Sequence, residues 1–224
     1  MDAVQLTLLE KIGRRTLHFK ASKLICVGYS GRNREKVLKH IEELKKIGVP
    51  PPEKVPMIIP VSTYTLTNED DVEVQSSKTS AEVEYVVLVG RDETYITVGS
   101  DHTDRELEKL SIEKAKQVCP KVIAKEAWHY DDLKDHWDEL NLRCYAWRDK
   151  ERIVYQTGLL KDLINVEELL GLEDGKYHSE GSVIFSGTVP VAGGQIIYSN
   201  QFEIELFDPV LKRSLFHRYK VKVL

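Results

Sequence analysis

Glu82 and Glu84 stand two residues apart at the head of the apolar run EVEYVVLVG, and Asp101 follows the next such run, YITVG. On a strand, residues two apart leave the same face. Their Cα atoms would lie about 6.6 Å apart, at about 3.3 Å per residue. Beyond the acids both faces are apolar, Val86 and Leu88 on one and Val83, Tyr85, Val87 and Val89 on the other, which is how a buried strand reads. Two carboxylates at the mouth of such a strand repel each other and lose hydration. A divalent cation resolves both problems, and Asp101 joins the pair if the two strands run antiparallel. Three carboxylates with no thiol and no obligatory imidazole suit a hard cation such as Mg²⁺ or Mn²⁺. The pattern alone also allows a solvated face on which Glu82 and Glu84 pair with lysines. His102 is adjacent in sequence, but in extended chain a neighbour points elsewhere.

Strand signals surround these residues. KLICVG (Lys23–Gly28) is a short apolar run ending in glycine. From Arg32 to Ile47, Val37, Ile41, Leu44 and Ile47 recur at helical spacing. The Pro-rich run from Val49 to Pro56 stops that helix. MIIPVS reads as an edge strand, because Pro60 cannot donate to a central ladder. A helix is expected near Thr103, where Thr103-x-x-Glu106 has the form of a capping box and Leu107, Leu110, Ala115 and Val118 give an apolar face. Leu142–Trp147 and Arg152–Gln156 read as a hairpin across Arg148–Glu151, with short helical turns between Leu159 and Leu172. SVIFSG, GQIIYSN, FEIELFD and SLFHRYKVKV close the chain as strands. Regular strand–helix alternation is missing, which excludes a Rossmann arrangement. The expectation is a β-rich α+β fold, one domain over residues 1–224.

The balance of 32 basic and 36 acidic residues gives a net charge of -4, without the basic face that nucleic acid demands. Hydrophobic residues make up 42% and charged residues 30%, the composition of a folded domain. No apolar run is long enough to span a bilayer. The N-terminal residues lack a signal-peptide core. Cys26, Cys119 and Cys144 are far apart and odd in number, as expected of buried thiols in a reducing compartment. The reading is cytoplasmic, with neither nucleic acid nor membrane as partner.

These motifs resemble, from about Leu24 to the C-terminus, the fumarylacetoacetate hydrolase family. Within it the chain looks most like a short branch described only as a domain of unknown function. Cys26-Val27-Gly28, His40-Ile41-Glu42-Glu43 and the Val49–Pro56 run resemble the family's entry motif. Glu82 to Gly90 looks like its Glu-x-Glu strand, Ser100 to Glu108 like its Asn-Asp-x-x-x-Arg-Asp-Leu-Gln motif, and the hairpin ending at Gln156 like its N-G-E-x-x-Q segment. Gly181 to Pro190 is similar to its G-D-x-I-x-T-G-T-P signature. The chain departs in three ways. Glu106 and Glu108 replace Asp and Gln, and a gap must precede His40, without which Arg34 takes its place. The substrate lysine has three candidates, Lys116 the best match, with Lys114 and Lys121 competing.

The resemblance implies a mixed β-roll with a helical N-terminal lid over about 30–55, usually in a homodimer. It implies Mg²⁺ or Mn²⁺ on Glu82, Glu84 and Asp101 and a small oxo-acid substrate, with C–C bond hydrolysis in a 2,4-dioxo acid as the activity. His40, tuned by Glu43, would be the general base. Lys116 would stabilise the enolate charge. Arg105, Gly187 and Thr188 would bind the substrate carboxylate. Decarboxylation or isomerisation of a 2-oxo acid at the same metal is the second implied chemistry, and a non-catalytic metal- or ligand-binding protein the third. His129 and His136, seven apart, would share a helical face but have no further ligands. Gly28-x-x-Gly31 is too short and lysine-poor for a phosphate loop.

Overall fold

The computed structural model describes residues 3–46, 48 and 50–224. The chain begins with a hairpin, β1 (Val4–Leu9) and β2 (Arg14–Phe19), then β3 (Lys23–Gly28) and helix α1 (Arg34–Lys46). Strands β4 (Met57–Val61), β5 (Leu66–Thr67), β6 (Asp71–Val74) and β7 (Thr79–Ser80) lead to the central pair, β8 (Val83–Val89) and β9 (Thr94–Asp101). β10 (Thr103–Asp104), α2 (Ile112–Gln117), β11 (Lys121–Ile123) and β12 (Glu126–His129) follow. The rest comprises β13 (Asn141–Arg148), β14 (Glu151–Leu159), α3 (Val166–Leu170), β15 (Ser182–Phe185), β16 (Gln201–Asp208) and β17 (Arg213–Val223).

A ten-stranded sheet runs β2-β1-β12-β9-β8-β15-β3-β4, with β11 and β5 branching from β9. Its pairing is mixed: β1 with β12 and β15 with β3 are parallel, β8 with β9 antiparallel. Phe19 of β2 and Ile59 of β4, from opposite ends of the sheet, share one inner cluster with Val86, Leu88 and Phe185, so the sheet curls around its own core. The sheet's other face, with Tyr85, Val87, Ile96 and Val98, packs on a five-stranded sheet, β14-β13-β16-β17-β6, through Leu142, Phe202, Ile204, Leu215 and Tyr219. β8 therefore lies between two cores, and all seven of its residues are buried. Ile112 of α2 enters the inner cluster and brings that helix against the curl.

β4, which contains Pro60, is an edge strand. The hairpin across Arg148–Glu151 forms, and Cys26, Cys119 and Cys144 are free and buried. α1 matches the expected helix, and Ile41 is buried. Ile47 and Val49 lie outside the described residues. Among those residues no helix is long and apolar enough to cross a membrane.

Two expectations fail. No helix begins at Thr103. That residue pairs with Ser80 across β10 and β7, and its hydroxyl donates to Asp101 O at 2.8 Å. Asp104 Oδ1 instead accepts from the backbone N–H groups of Glu106 and Leu107 and opens a 3₁₀ turn, Leu107–Lys109. The helix starts after Ser111, whose Oγ caps Lys114 N–H, and leaves Leu110 and Val118 exposed. GQIIYSN forms no strand, since no neighbouring strand offers it a ladder, and Ile196 and Tyr198 stay exposed.

Candidate metal centre

The ends of three neighbouring strands converge. Asp101 N–H donates to Glu82 O at 3.0 Å, which sets the two residues side by side across the β8–β9 pair. On Asp101's other side, Lys121 is its register partner in β11. Glu84, two residues along from Glu82, adds its carboxylate on the same face. One oxygen from each of Glu82, Glu84 and Asp101 lies within 4.8 Å of the others. The three carboxylates thus come together, as strand spacing leads one to expect.

Three cations surround them. Lys116 Nζ, reaching in from α2, lies 2.8 Å from Glu82 Oε2 and 2.5 Å from Asp101 Oδ2. Lys121 Nζ, fully buried, lies 2.8 Å from Asp101 Oδ1 and donates to His102 O at 2.8 Å. Its approach to Oδ1 is a buried ion pair. Arg105 donates from Nη1 to Glu82 Oε1 at 2.9 Å and to Glu108 Oε2 at 3.0 Å, and from Nε to Ser80 Oγ at 2.7 Å. Glu84 has a weaker partner, the Gly187 N–H at 2.8 Å.

The electrostatics divide the triad. Burial works to raise the carboxyl pKa of Asp101, but Lys116 and Lys121 outweigh it and hold Asp101 well below its usual value. Lys116 and Arg105 do the same for Glu82. Glu84 goes the other way: burial, then the charge of Asp101, pushes it well above the ordinary carboxylate range. Lys116 stays charged despite burial, because Asp101 and Glu82 stabilise the ammonium. An all-oxygen donor set, and a third carboxylate that burial and Asp101 keep from ionising even beside Lys116, fit a hard divalent ion. Glu82, Glu84 and Asp101 would hold it.

A family model described as Protein of unknown function (DUF2848) matches residues 27–219. The chain belongs to the DUF2848 family. No curated protein matches this DUF2848 chain. Among solved structures, Cg1458 with inhibitor is similar at 17% identity and TM-score 0.69, covering 94% of this chain and 81% of that one. The 2-keto-3-deoxy-D-arabinonate dehydratase complexed with magnesium and 2,5-dioxopentanoate is similar at 15% identity and TM-score 0.64, over 94% and 77% of the two chains. These likenesses show a fumarylacetoacetate hydrolase-like fold.

Of the remaining sequence candidates in this DUF2848 chain, Lys116, Arg105 and Gly187 contact the triad, whereas His40 and Glu43 stand apart on α1. Of the three competing lysines, Lys116 and Lys121 both reach Asp101. Sequence reasoning missed that two would do so. The Gly187 N–H is engaged by Glu84. Thr188 Oγ1 donates to Val83 O at 2.8 Å and accepts from Gln156 Nε2 at 2.8 Å. Arg105 is engaged through Nη1 by its carboxylates and through Nε by Ser80. His40 stands on α1 with its side chain 62% exposed and Nδ1 3.9 Å from Glu43 Oε2. Among the described residues no hydrogen bond or ion pair links His40 to the triad. His129 and His136 do not share a helix: His129 ends β12, and His136, with φ -134°, lies 3.1 Å from Asp208 Oδ1.

Proposed function

We propose that this chain is a divalent-cation-dependent enzyme acting on a small 2-oxo acid, with decarboxylation or isomerisation as its chemistry. The observation that carries the reading is the convergence of Glu82, Glu84 and Asp101 with Lys116 beside them. A bound Mg²⁺ or Mn²⁺ would supply Lewis acidity and a template for two oxygens of the 2-oxo-acid end. Lys116, held charged, offers a fixed positive group where negative charge develops on the oxo-acid oxygen. Such a donor is typically worth about 3–4 kcal/mol. Arg105 fixes the orientation of Glu82 through its bond to Oε1. These steps require no base acting on water.

The second reading is hydrolytic cleavage of a C–C bond in a 2,4-dioxo acid. It rests on His40 and Glu43, which already form an imidazole–carboxylate pair on α1. In that reading the segment from Ser30 to Val55 closes as a lid and carries the imidazole to the substrate.

Incubating the purified protein and Mn²⁺ with oxaloacetate and a panel of acylpyruvates separates the two. Turnover that survives His40→Ala supports decarboxylation or isomerisation. A fall in kcat of roughly 10²–10⁴, the usual range for a lost general base, supports hydrolysis. If no 2-oxo acid is consumed, the protein is a binding module and the enzymatic reading is wrong.

A further inference from the structure

Both oxygens of Glu82 and both oxygens of Asp101 are already matched to a cation, and the three cations are not held equally. Arg105 meets Glu82 Oε1 through Nη1 and is anchored besides by Glu108 and Ser80. Lys121 meets Asp101 Oδ1 at 2.8 Å. It is anchored as well by the carbonyl of His102 and by the ladder that fixes β11 beside β9. Lys116 takes the remaining oxygen of each carboxylate, Glu82 Oε2 at 2.8 Å and Asp101 Oδ2 at 2.5 Å. Its other contact is a long one, Thr103 Oγ1 at 3.5 Å. The two carboxylates therefore hold Lys116 in place, whereas Arg105 and Lys121 have further anchors.

The backbones beneath the two lysines differ in the same sense. Lys121 lies in a strand between β9 and β5, with its side chain fully buried. Lys116 lies in the last turn of the short helix α2, which packs through Ile112 and Ala115 and ends beside an exposed Val118. A lysine stem has four flexible carbons, so the ammonium can swing while the helix stays seated. With Glu82 Oε1 and Asp101 Oδ1 given to Arg105 and Lys121, the oxygens left to an incoming ion are the two that Lys116 holds. Like charges that share buried oxygens repel strongly. Of the three cations, Lys116 is the one free to yield.

We propose that the Lys116 ammonium is a resident cation of this centre, and that a divalent ion enters by displacing it from Glu82 and Asp101. The inference rests on the divalent-cation reading above and goes beyond it. An ammonium has three N–H donors. Here they are directed at Glu82, Asp101 and Thr103, which leaves none for an incoming acid. Displacement frees them. Metal entry thereby gives the acid two positive groups to meet, the ion and the released ammonium, where the closed centre offers neither.

Two measurements test the proposal, and neither involves the acid. Reductive methylation with formaldehyde and a borane reductant, read by peptide mass spectrometry, follows the amine in the native protein. After treatment with a chelator Lys116 should be protected, because its side chain is only 7% exposed and bonded to both carboxylates. At saturating Mn²⁺ its methylation should quicken at least about tenfold, since a released amine is open to the reagent. Lys121 should stay protected under both conditions. Calorimetric titration is the second measurement. Lys116→Met should bind Mn²⁺ at least about tenfold more tightly than the native protein, because no ammonium competes for the two oxygens. Methylation of Lys116 that Mn²⁺ leaves unchanged overturns the displacement, as does an affinity in Lys116→Met equal to or below the native one. Should that variant fail to fold, the labelling of the native protein decides. If the native protein binds no Mn²⁺, the metal centre itself is wrong, and this inference falls with it.

Discussion

The backbone N–H of Gly187 donates to Glu84 Oε2 at 2.8 Å, and it does so from a φ of +91°. That conformation favours glycine. A Cβ there would also stand 2.6 Å from the carbonyl oxygen of Val27, which the β3 ladder holds in place. Gly187→Ala should therefore destabilise the fold by about 2–4 kcal/mol, from backbone strain and steric overlap together. It should also weaken Mn²⁺ binding by moving the donor that orients Glu84. Thermal unfolding and calorimetric titration of the variant would show both effects; an unchanged Tm and an unchanged affinity would refute the assigned contact.

Metal binding should depend on pH through Glu84. Burial and the charge of Asp101 raise its pKa, so a proton competes with the cation for this carboxylate. A proton held by the free site and expelled by the ion makes affinity rise with pH and fall on acidification. Titrations in buffers of different ionisation enthalpy should detect proton release on Mn²⁺ binding. Glu84→Gln should abolish that release and most of the affinity. Binding with no proton release at any pH would show that Glu84 is not the competing group.

Stability should fall on mild acidification through His102. The ring is buried and its pKa is pushed down to about 3, first by burial and then by Lys121 and Arg105. Tyr219 Oη donates to Ser100 Oγ, so His102 Nδ1 is the donor toward Tyr219, and Nε2 accepts from the Thr79 hydroxyl. The neutral ring is thus fully satisfied. Between pH 6.5 and about 3 the unfolded chain binds a proton that the folded chain refuses. Unfolding free energy then drops as pH falls, by up to about 1.4 kcal/mol per pH unit, and the contribution is flat above pH 6.5. His217, also depressed mainly by burial, acts in the same direction. Glu84, with its raised pKa, contributes in the opposite sense, so the difference in slope between native protein and His102→Asn in denaturant unfolding from about pH 7.5 to 5 isolates the histidine. A slope identical in native and variant protein would assign it elsewhere.

The triad was legible because strand geometry is simple: alternation put Glu82 and Glu84 on one face, and antiparallel pairing brought Asp101 to Glu82. The helix near Thr103 was misread because its capping pattern competes with tertiary bonds, Thr103 pairing with Ser80 and Asp104 taking over the cap. GQIIYSN has strand propensity, but propensity supplies no partner strand. The first hairpin carried its own signal, Val4, Leu6 and Leu8 alternating inward before a turn at Gly13, where φ is +100°. Ser30 and Arg32 gave no local sign of their placement, which depends on chain 130 residues away folding back on them.

The packing of Arg105, Lys116 and Lys121 against Glu82, Glu84, Asp101 and Glu108 sets an order of addition. Three cations face four carboxylates, and with Glu84 holding its proton the protein alone presents no excess charge. An anion arriving first meets no attraction. A divalent ion that displaces the proton leaves one excess positive charge. An oxo-acid anion, on the reading proposed above, is then drawn inward with a strength that salt diminishes. The order this favours is metal before acid on the way in and acid before metal on the way out.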